Sequence, residues 1–209
     1  MKKTGVVMVA VLLNMVAVHA QIDEKDRVLM KIIQQANEKY TSIVSRFKQT
    51  KQIAVLGEKA LSEGDFYYAK PDKLAMRYDD PAGDLLLLSG DQFVMVNAGR
   101  RKEISARSNN KMRLMKTILS SCLSGNVMQI DVEKIACEET PQYHVITAKI
   151  AAKGNRTVFT QVILSFDKTD YTLSILRTEE KDGSYTIYEL TGKELNKAVD
   201  DNIFKISRK

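Results

Sequence analysis

The spacing of hydrophobic residues along the chain predicts two amphipathic helices. From Asp26 to Tyr40, and again from Asn110 to Leu123, apolar side chains recur every three or four residues, so each segment would present one apolar face. In the second segment the opposite face is basic, and Gly125 follows it as a candidate C-cap. The apolar face of this second helix comprises Met112, Met115, Ile118, Leu119 and Cys122.

The rest of the chain alternates apolar and polar residues, which is typical of β-strands with one buried face. Turn residues separate these strands at intervals of about 8 to 12 residues, and Asp182-Gly183 is the strongest hairpin signal. The predicted strands are Phe47 to Leu56, Gly64 to Ala69, Lys73 to Asp79, Asp84 to Ser89, Gln92 to Val96, Lys102 to Arg107, Ile130 to Cys137, Gln142 to Ala151, Thr157 to Asp167, Tyr171 to Glu179 and Ser184 to Thr191, with a short piece at Ile203 to Ile206.

This succession of elements predicts a mainly β (α+β) fold. Eleven strands and two helices without alternating βαβ units indicate one large antiparallel sheet, curled over and closed by helices. No repeat or linker separates two halves of the chain, so we expect a single domain.

The first residues have the features of a secretory signal peptide. A basic start at Met1-Lys2-Lys3 precedes an apolar run from Val6 to Val18, and Val18-His19-Ala20 offers a cleavage site. An uncleaved membrane anchor is the alternative, but the apolar run is shorter than the roughly 20 residues that span a bilayer. We therefore expect a signal peptide over residues 1–20 and a periplasmic mature domain over residues 21–209.

Composition narrows the chemistry that the chain could perform. Its 209 residues include 32 Lys or Arg and 26 Asp or Glu, a net charge of +6, which becomes 6 − 2 = +4 without Lys2 and Lys3. His144 is the single histidine of the mature chain, and the sequence has no metal-ligand motif, clustered carboxylates or phosphate-binding loop. We therefore expect no enzyme, no cofactor and no metal site. The dispersed basic residues do not favour nucleic-acid binding.

Two cysteines, Cys122 and Cys137, fall in the mature chain. An exported protein permits a disulfide, and a bridge between them would close a loop of about 15 residues. Two separate buried thiols that pack as small apolar side chains are the alternative. The sequence favours neither.

Apolar residues in the middle of the chain suit either a filled core or a ligand cavity. Leu85 to Leu88 is a continuous apolar run, and Met76, Met95, Met112 and Met115 have flexible side chains that adapt to irregular partners. Most such residues belong to cores, but a curled sheet too large to fill its own interior would hold a hydrophobic ligand. Composition does not separate these two interpretations.

An ordered series of short motifs resembles the periplasmic outer-membrane lipoprotein carrier family, LolA. The motifs are Phe47-Lys48-Gln49, Gly64-Asp65-Phe66, Lys70-Pro71, Leu74, Arg77-Tyr78, Pro81, and Ser89-Gly90-Asp91 with Phe93. Weaker similarity continues to Phe204, so the resemblance covers most of the mature chain. It implies an incomplete, strongly curled antiparallel barrel with lid helices over an apolar cavity.

The resemblance also implies a function without covalent chemistry. Such proteins take acylated lipoproteins from an inner-membrane ABC transporter and carry them through the periplasm to an acceptor at the outer membrane. On this basis we expect a monomeric carrier of lipoprotein acyl chains. The residues expected to contact the acyl chain or form the lid are Leu74, Met76, Leu86, Leu88, Phe93, Met95, Met112, Met115 and Leu119. If the strand parity is reversed, Leu85 and Leu87 replace Leu86 and Leu88.

Two positions depart from the family pattern. The family's Arg before Pro, which ties the barrel wall to the lid in the closed form, is matched by Lys70. Lysine keeps the charge but lacks the planar set of donors, so we expect Lys70 to form a looser or different lid lock. The family's Trp is matched by Met76, and the aromatic residue before it by Leu74.

Three other functions stay open at this point. One is a lipid-sensing regulatory module of the same fold that restrains envelope-stress signalling. Another is a carrier of a different lipid or glycolipid. The third is an esterase, which would depend on His144.

Overall fold

The computed structural model describes residues 22–151 and 159–205. Its helices are α1 (Glu24–Glu38) and α2 (Asn110–Leu123). Short 3₁₀ turns lie at Ala54–Leu56, Val127–Gln129 and Asp201–Phe204. The strands are β1 (Ser42–Ile53), β2 (Glu58–Ala69), β3 (Lys73–Tyr78), β4 (Leu85–Ser89), β5 (Gln92–Asn97), β6 (Arg100–Ser105), β7 (Val132–Glu139), β8 (Tyr143–Ile150), β9 (Phe159–Asp167), β10 (Leu173–Glu180) and β11 (Tyr185–Leu195).

Some predictions fall outside the described residues. These are the signal peptide at residues 1–20, the start of the ninth predicted strand at Thr157, and Ile206 at the end of the last predicted strand. Within the described ranges, no helix has the length and apolar character needed to cross a membrane.

All eleven strands form one antiparallel sheet, in the order β6-β5-β4-β3-β2-β1-β11-β10-β9-β8-β7. In the described part of the chain β6 and β7 are its two edges, so the sheet curls without closing into a barrel. β1 and β11 pair at the centre, where Phe47 lies opposite Leu190, and this pairing joins the strands before α2 to those after it. The prediction of a single curled antiparallel sheet with two helices is confirmed.

Both helices pack on the same apolar core. Asn109 caps α2 by accepting a hydrogen bond from the Met112 amide at 3.1 Å. The helices approach each other at Gly125, which has a φ of +71° and where a Cβ atom would lie 2.9 Å from the Ile33 carbonyl oxygen of α1. Glycine at this position therefore ends α2 and also allows the two helices to come into contact.

The opposite, convex face of the sheet has a small apolar cluster of its own, in which Phe204 covers Ala75 and Leu87. The short strand predicted at Ile203 to Ile206 is wrong, because Asp201–Phe204 forms a 3₁₀ turn. The Asp200 side chain starts this turn by accepting a hydrogen bond from the Asn202 amide at 2.9 Å. Such a local side-chain bond competes with extension of the backbone.

The largest differences from the predicted boundaries lie in the hairpin of β1 and β2. The sequence pattern predicts strands at Phe47 to Leu56 and Gly64 to Ala69, whereas β1 begins at Ser42 and β2 at Glu58. The first half of β2 is exposed almost throughout, so it shows no alternation of buried and exposed residues that a sequence pattern could reveal.

Gly64 in β2 allows the closest approach between strands. It lies between Phe47 of β1 and Tyr78 of β3 in the register of the sheet. A Cβ atom at Gly64 would lie 1.9 Å from the Arg77 carbonyl oxygen and 2.9 Å from Cε1 of Phe47. The rings of Phe47 and Tyr78 meet edge to face, with centroids 5.1 Å apart. The missing side chain therefore makes room for the neighbouring backbone and for two aromatic rings.

We expect Gly64→Ala to destabilise the protein by about 3 kcal/mol or more, because backbone in contact with the new methyl group cannot move aside as a side chain could. Gly57→Ala is the matched control. Nothing lies within 4 Å of a Cβ atom at Gly57, so alanine there meets no steric clash with other residues. We expect Gly57→Ala to destabilise the protein by about 1 to 2 kcal/mol, because its φ of +66° is unfavourable for alanine. Urea unfolding of both variants measures the difference, and equal losses would contradict the close approach.

Candidate functional site

An apolar cavity lies between the concave face of the sheet and α2. Its volume is about 440 Å³, and β1 to β5, β10, β11 and α2 contribute to its wall. Small-molecule sites in proteins range over roughly 300–1,000 Å³ and are mainly apolar. Leucine, methionine and aromatic side chains form most of this wall, with a few polar groups at one side. The cavity therefore has the size and lining of a site for one apolar ligand.

Most of the residues predicted to contact an acyl chain line this cavity. They are Met76, Leu86, Phe93, Met95, Met112, Met115 and Leu119. Leu74 and Leu88, which pair with each other across β3 and β4, do not line it and are buried in the apolar core. Leu85 lies at the cavity wall as well, whereas Leu87 packs on the convex face.

Methionine side chains give the cavity an adaptable surface. Met112 and Met115 line it from α2, and Met76 and Met95 line it from the sheet. The unbranched thioether has several accessible rotamers and fills irregular gaps without a fixed shape. A wall of this kind can accept apolar chains of different length or branching.

A small polar group interrupts the apolar wall. Gln49 Nε2 of β1 donates a hydrogen bond to Tyr188 Oη of β11 at 3.4 Å, and both residues line the cavity. Burial raises the pKa of Tyr188 well above its usual value, and burial together with Asp84 raises the pKa of Tyr78 to about 12. Both phenols therefore keep their protons at physiological pH and can donate to a ligand oxygen. The sequence analysis quoted Gln49 as part of a motif but did not predict it as a cavity residue.

Lys70, the expected lid lock, lies at α1 and not at α2. Its ammonium group donates hydrogen bonds to the carbonyl oxygens of Asn37 and Glu38 at 2.8 and 3.2 Å, at the end of α1. Both carbonyls lie in the last turn of α1, where a cation complements the helix dipole. Burial lowers the pKa of Lys70. The residue thus fastens the end of α1 to the wall of the sheet, and its role as a lid lock stays a prediction.

Asp91, in the turn between β4 and β5, ties α2 to the sheet. Its Oδ1 accepts a hydrogen bond from Lys116 Nζ of α2 at 2.7 Å, and its Oδ2 accepts one from Arg107 Nε at 2.5 Å. Lys116 and Arg107 hold the pKa of Asp91 below its usual range. Asp91 falls in the motif Ser89-Gly90-Asp91, but its role could not be predicted, since its two partners lie 25 and 16 positions away and no local pattern indicates them.

The two cysteines are separate thiols in the structure, so the disulfide that the sequence allowed is not formed. Cys122 is fully buried in α2. Cys137 is partly buried on β7, where its backbone amide donates to Asp26 of α1 at 3.2 Å. Burial raises the pKa of both thiols, which is typical of cysteines that pack as apolar side chains.

His144 lies away from the cavity. Its ring stacks on Tyr171, with centroids 5.6 Å apart and an angle of 10° between the planes. Burial lowers the pKa of His144, so the imidazole is neutral at physiological pH. Within residues 22–151 and 159–205, no three His, Cys, Asp or Glu side chains come together as ligands for a metal ion.

The structure thus combines an open antiparallel sheet with an apolar cavity under a helix. At the level of sequence, a family profile described as "Outer membrane lipoprotein carrier protein LolA" matches residues 38–207. The chain therefore belongs to the LolA family. Among curated proteins, none matches it.

Solved structures share this fold at low sequence identity. A DUF1329 family protein from Desulfovibrio piger is 13% identical with a TM-score of 0.51, and the match covers 88% of this chain and 97% of that protein. An uncharacterized conserved protein from Thermus thermophilus is 8% identical with a TM-score of 0.51, covering 87% of this chain and 94% of that one. MucB is 8% identical with a TM-score of 0.50, covering 88% of this chain and 64% of MucB. At such identities the likeness concerns the fold alone.

We expect Asp91→Asn to loosen α2, because the neutral amide loses both charge-assisted hydrogen bonds. Since the pKa of Asp91 is lowered in the folded protein, these bonds stabilise it above the unfolded pKa of about 3.9 and are lost as the pH falls through the folded pKa. Wild type and variant should therefore differ in thermal stability at neutral pH and converge in acid. Hydrogen exchange should be faster in α2 of the variant at neutral pH.

Glu103→Gln is the matched control for this prediction, because it removes a single exposed ion pair with Arg101 on β6. It should leave hydrogen exchange of α2 unchanged. If α2 exchanges at the wild-type rate in Asp91→Asn as well, Asp91 does not hold the helix.

Proposed function

We propose that this protein binds the acyl chains of lipoproteins in its cavity and carries them through the periplasm from the inner to the outer membrane. The observation that carries this proposal is a cavity of about 440 Å³ that apolar side chains line but do not fill. Membership of the LolA family supports acylated lipoproteins as the cargo. An acyl chain has the apolar, flexible character that suits a wall of methionine and leucine.

Burial of the acyl chain would supply the binding energy. Each methylene group removed from water contributes about 0.8 kcal/mol, so a long chain gains roughly 12 kcal/mol before the costs of binding are subtracted. The pair formed by Gln49 and Tyr188 offers hydrogen bonds to an ester or amide oxygen at the head of the chain. Such a pair would orient the chain in the cavity without adding much affinity.

Release of the cargo requires that the net free energy of binding is smaller than the free energy gained by burying the acyl chain. The cavity lies under α2, which Asp91 holds through a single side-chain bond to Lys116. Movement of α2 away from the sheet would expose Met112 and Met115 to water. The free-energy cost of this exposure offsets part of the free energy gained by burying the acyl chain. The net affinity then stays low enough for the cargo to be handed on.

The proposed cycle needs two membrane partners and no covalent step. The protein, as a monomer without residues 1–20, would receive its cargo from an inner-membrane ABC transporter and deliver it to an outer-membrane acceptor. The position of His144 outside the cavity and the raised pKa values of Tyr78 and Tyr188 favour binding over proton transfer.

We expect the double variant Met112→Gln and Met115→Gln to weaken binding of a fluorescent fatty acid about tenfold or more. Glutamine has a similar length, but its amide must be desolvated in the cavity, and about 1.4 kcal/mol corresponds to a tenfold change. Titration of the purified protein with the probe measures the affinity. Met128→Gln is the matched control, because Met128 is exposed and does not line the cavity. Equal affinities of the double variant and the control for the probe would show that the cavity is not the binding site.

Depletion of the protein in cells should leave lipoproteins at the inner membrane, since a carrier supplies their route through the periplasm. Membrane fractionation measures their distribution, and mass spectrometry of the purified mature protein identifies the acylated peptide or lipid that it carries. Normal sorting in depleted cells would refute the proposal. A bound glycolipid would favour a carrier of another lipid, and co-purification with an anti-sigma factor would favour a regulatory module.

A further inference from the structure

The positive charge of the protein is concentrated in one short stretch. Residues 100–116 contain seven Lys or Arg and one Glu, a net charge of 7 − 1 = +6. Six of the 32 Lys or Arg lie outside the described residues, which leaves 32 − 6 = 26. All 26 Asp or Glu lie within them, so the net charge of the described residues is zero. The rest of the described chain therefore carries 0 − 6 = −6. The seven cations, which we call the basic band, are Arg100–Lys102, Arg107, Lys111, Arg113 and Lys116.

The fold places the basic band beside the cavity. Lys102 of the edge strand β6 lies opposite Met95 of β5, and Met95 lines the cavity. Lys111, Arg113 and Lys116 lie on the same helix as the cavity residues Met112 and Met115. The band thus follows the edge of the sheet and continues along the helix that covers the cavity.

Only part of the band is neutralised. Asp91 pairs with Arg107 and Lys116, Glu103 pairs with Arg101, and Glu180 lies 3.9 Å from Lys111. Arg100, Lys102 and Arg113 are exposed and form no ion pair with any carboxylate in the described ranges. These three cations are available to an anionic partner.

An apolar tip lies on the other side of the cavity. Val55, Leu56 and Leu61, at the end of the hairpin of β1 and β2, are 80%, 61% and 74% exposed. Lys51 and Ala60 of the same hairpin line the cavity. These three apolar side chains, which we call the apolar tip, therefore lie next to the cavity wall but outside it.

Contacts connect the apolar tip to the basic band. The Ala54 amide at the tip donates a hydrogen bond to Ser184 Oγ, at 3.1 Å, in the turn between β10 and β11. The Glu180 amide closes the same turn by donating a hydrogen bond to the Ser184 carbonyl oxygen at 2.8 Å. The Glu180 side chain lies beside Lys111 of α2. The tip, this turn and the start of α2 thus form one continuous rim.

We propose that the apolar tip and the basic band together dock the protein on a bilayer that contains anionic phospholipid. Side chains of Val55, Leu56 and Leu61 would enter the boundary between headgroups and acyl chains, and Arg100, Lys102 and Arg113 would attract the lipid phosphates. Docking in this manner brings the cavity next to the lipid surface.

The observations favour a lipid surface over a protein partner. A stable protein interface needs a complementary area of roughly 1,000 Å² or more with a continuous apolar centre. Here three apolar side chains project from a narrow hairpin, and the unpaired cations lie on a separate strand and helix. A bilayer can contact both at once because it adapts to the shape of the protein.

Flotation of the mature protein with vesicles tests this proposal. We expect binding to phosphatidylcholine vesicles that contain phosphatidylglycerol, weaker binding without the anionic lipid, and further weakening by salt. The triple variant Val55→Ser, Leu56→Ser, Leu61→Ser and the triple variant Arg100→Glu, Lys102→Glu, Arg113→Glu should each lose binding. A loss of about fivefold for each reversed charge is expected.

The chain offers a matched control for each variant. The control for the apolar variant removes exposed apolar side chains from α1 and consists of Val28→Ser and Ile32→Ser. The control for the charge variant reverses exposed charges outside the basic band and consists of Lys31→Glu, Lys48→Glu and Lys134→Glu. Both controls should bind anionic vesicles like the wild type. Binding of the fluorescent fatty acid reports that each variant is folded, since none of these substitutions is at the cavity wall.

The outcomes separate docking from cargo binding. Absence of binding to anionic vesicles, or equal losses in variants and controls, would overturn docking while leaving the acyl-chain proposal to its own tests. Capture of a periplasmic protein that is lost in both triple variants, without vesicle binding, would assign the surface to a protein partner and also overturn the proposal.

Discussion

The packing of the central strands depends on the absence of a side chain at Gly64. A Cβ atom there would lie 1.9 Å from a backbone oxygen of β3, which no rotamer change could relieve. Because β2 can approach β3 so closely, Phe47 and Tyr78 meet across it near the centre of the sheet. Phe47 belongs to the apolar core and Tyr78 lines the cavity, so this contact lies at the boundary between core and cavity.

The concave face of the sheet is divided between filled core and cavity wall. Lys70 holds the end of α1 beside the turn between β2 and β3, and Leu74 and Leu88 near this turn are fully packed. Further along the same strands, Met76 and Leu86 line the cavity under α2. Residues on one face of one strand therefore have different roles, which depend on their position along the strand.

The sequence predicted the sheet, the two helices and most of the cavity wall, because alternation and helical spacing are local signals and burial on one face follows from them. Leu74 and Leu88 lie outside the cavity, because alternation identifies a face of a strand but not how far along it the cavity extends. The partners of Lys70 and Asp91 could not be predicted, since they are distant in sequence. The buried 3₁₀ turn at Phe204 was mistaken for a strand because both place an apolar residue against the sheet.

Asp91 is the residue at which the cavity and the charged surface meet. It accepts hydrogen bonds from Lys116 and Arg107, which both belong to the basic band, and the bond from Lys116 holds α2. Because one helix carries Met112 and Met115 toward the cavity and Lys116 toward Asp91, a movement of α2 changes the cavity wall and the basic band together. An anionic surface that competes with Asp91 for these cations would weaken the same bonds that keep α2 in place. An anionic surface that drew Lys116 away from Asp91 would therefore loosen the helix that covers the cavity.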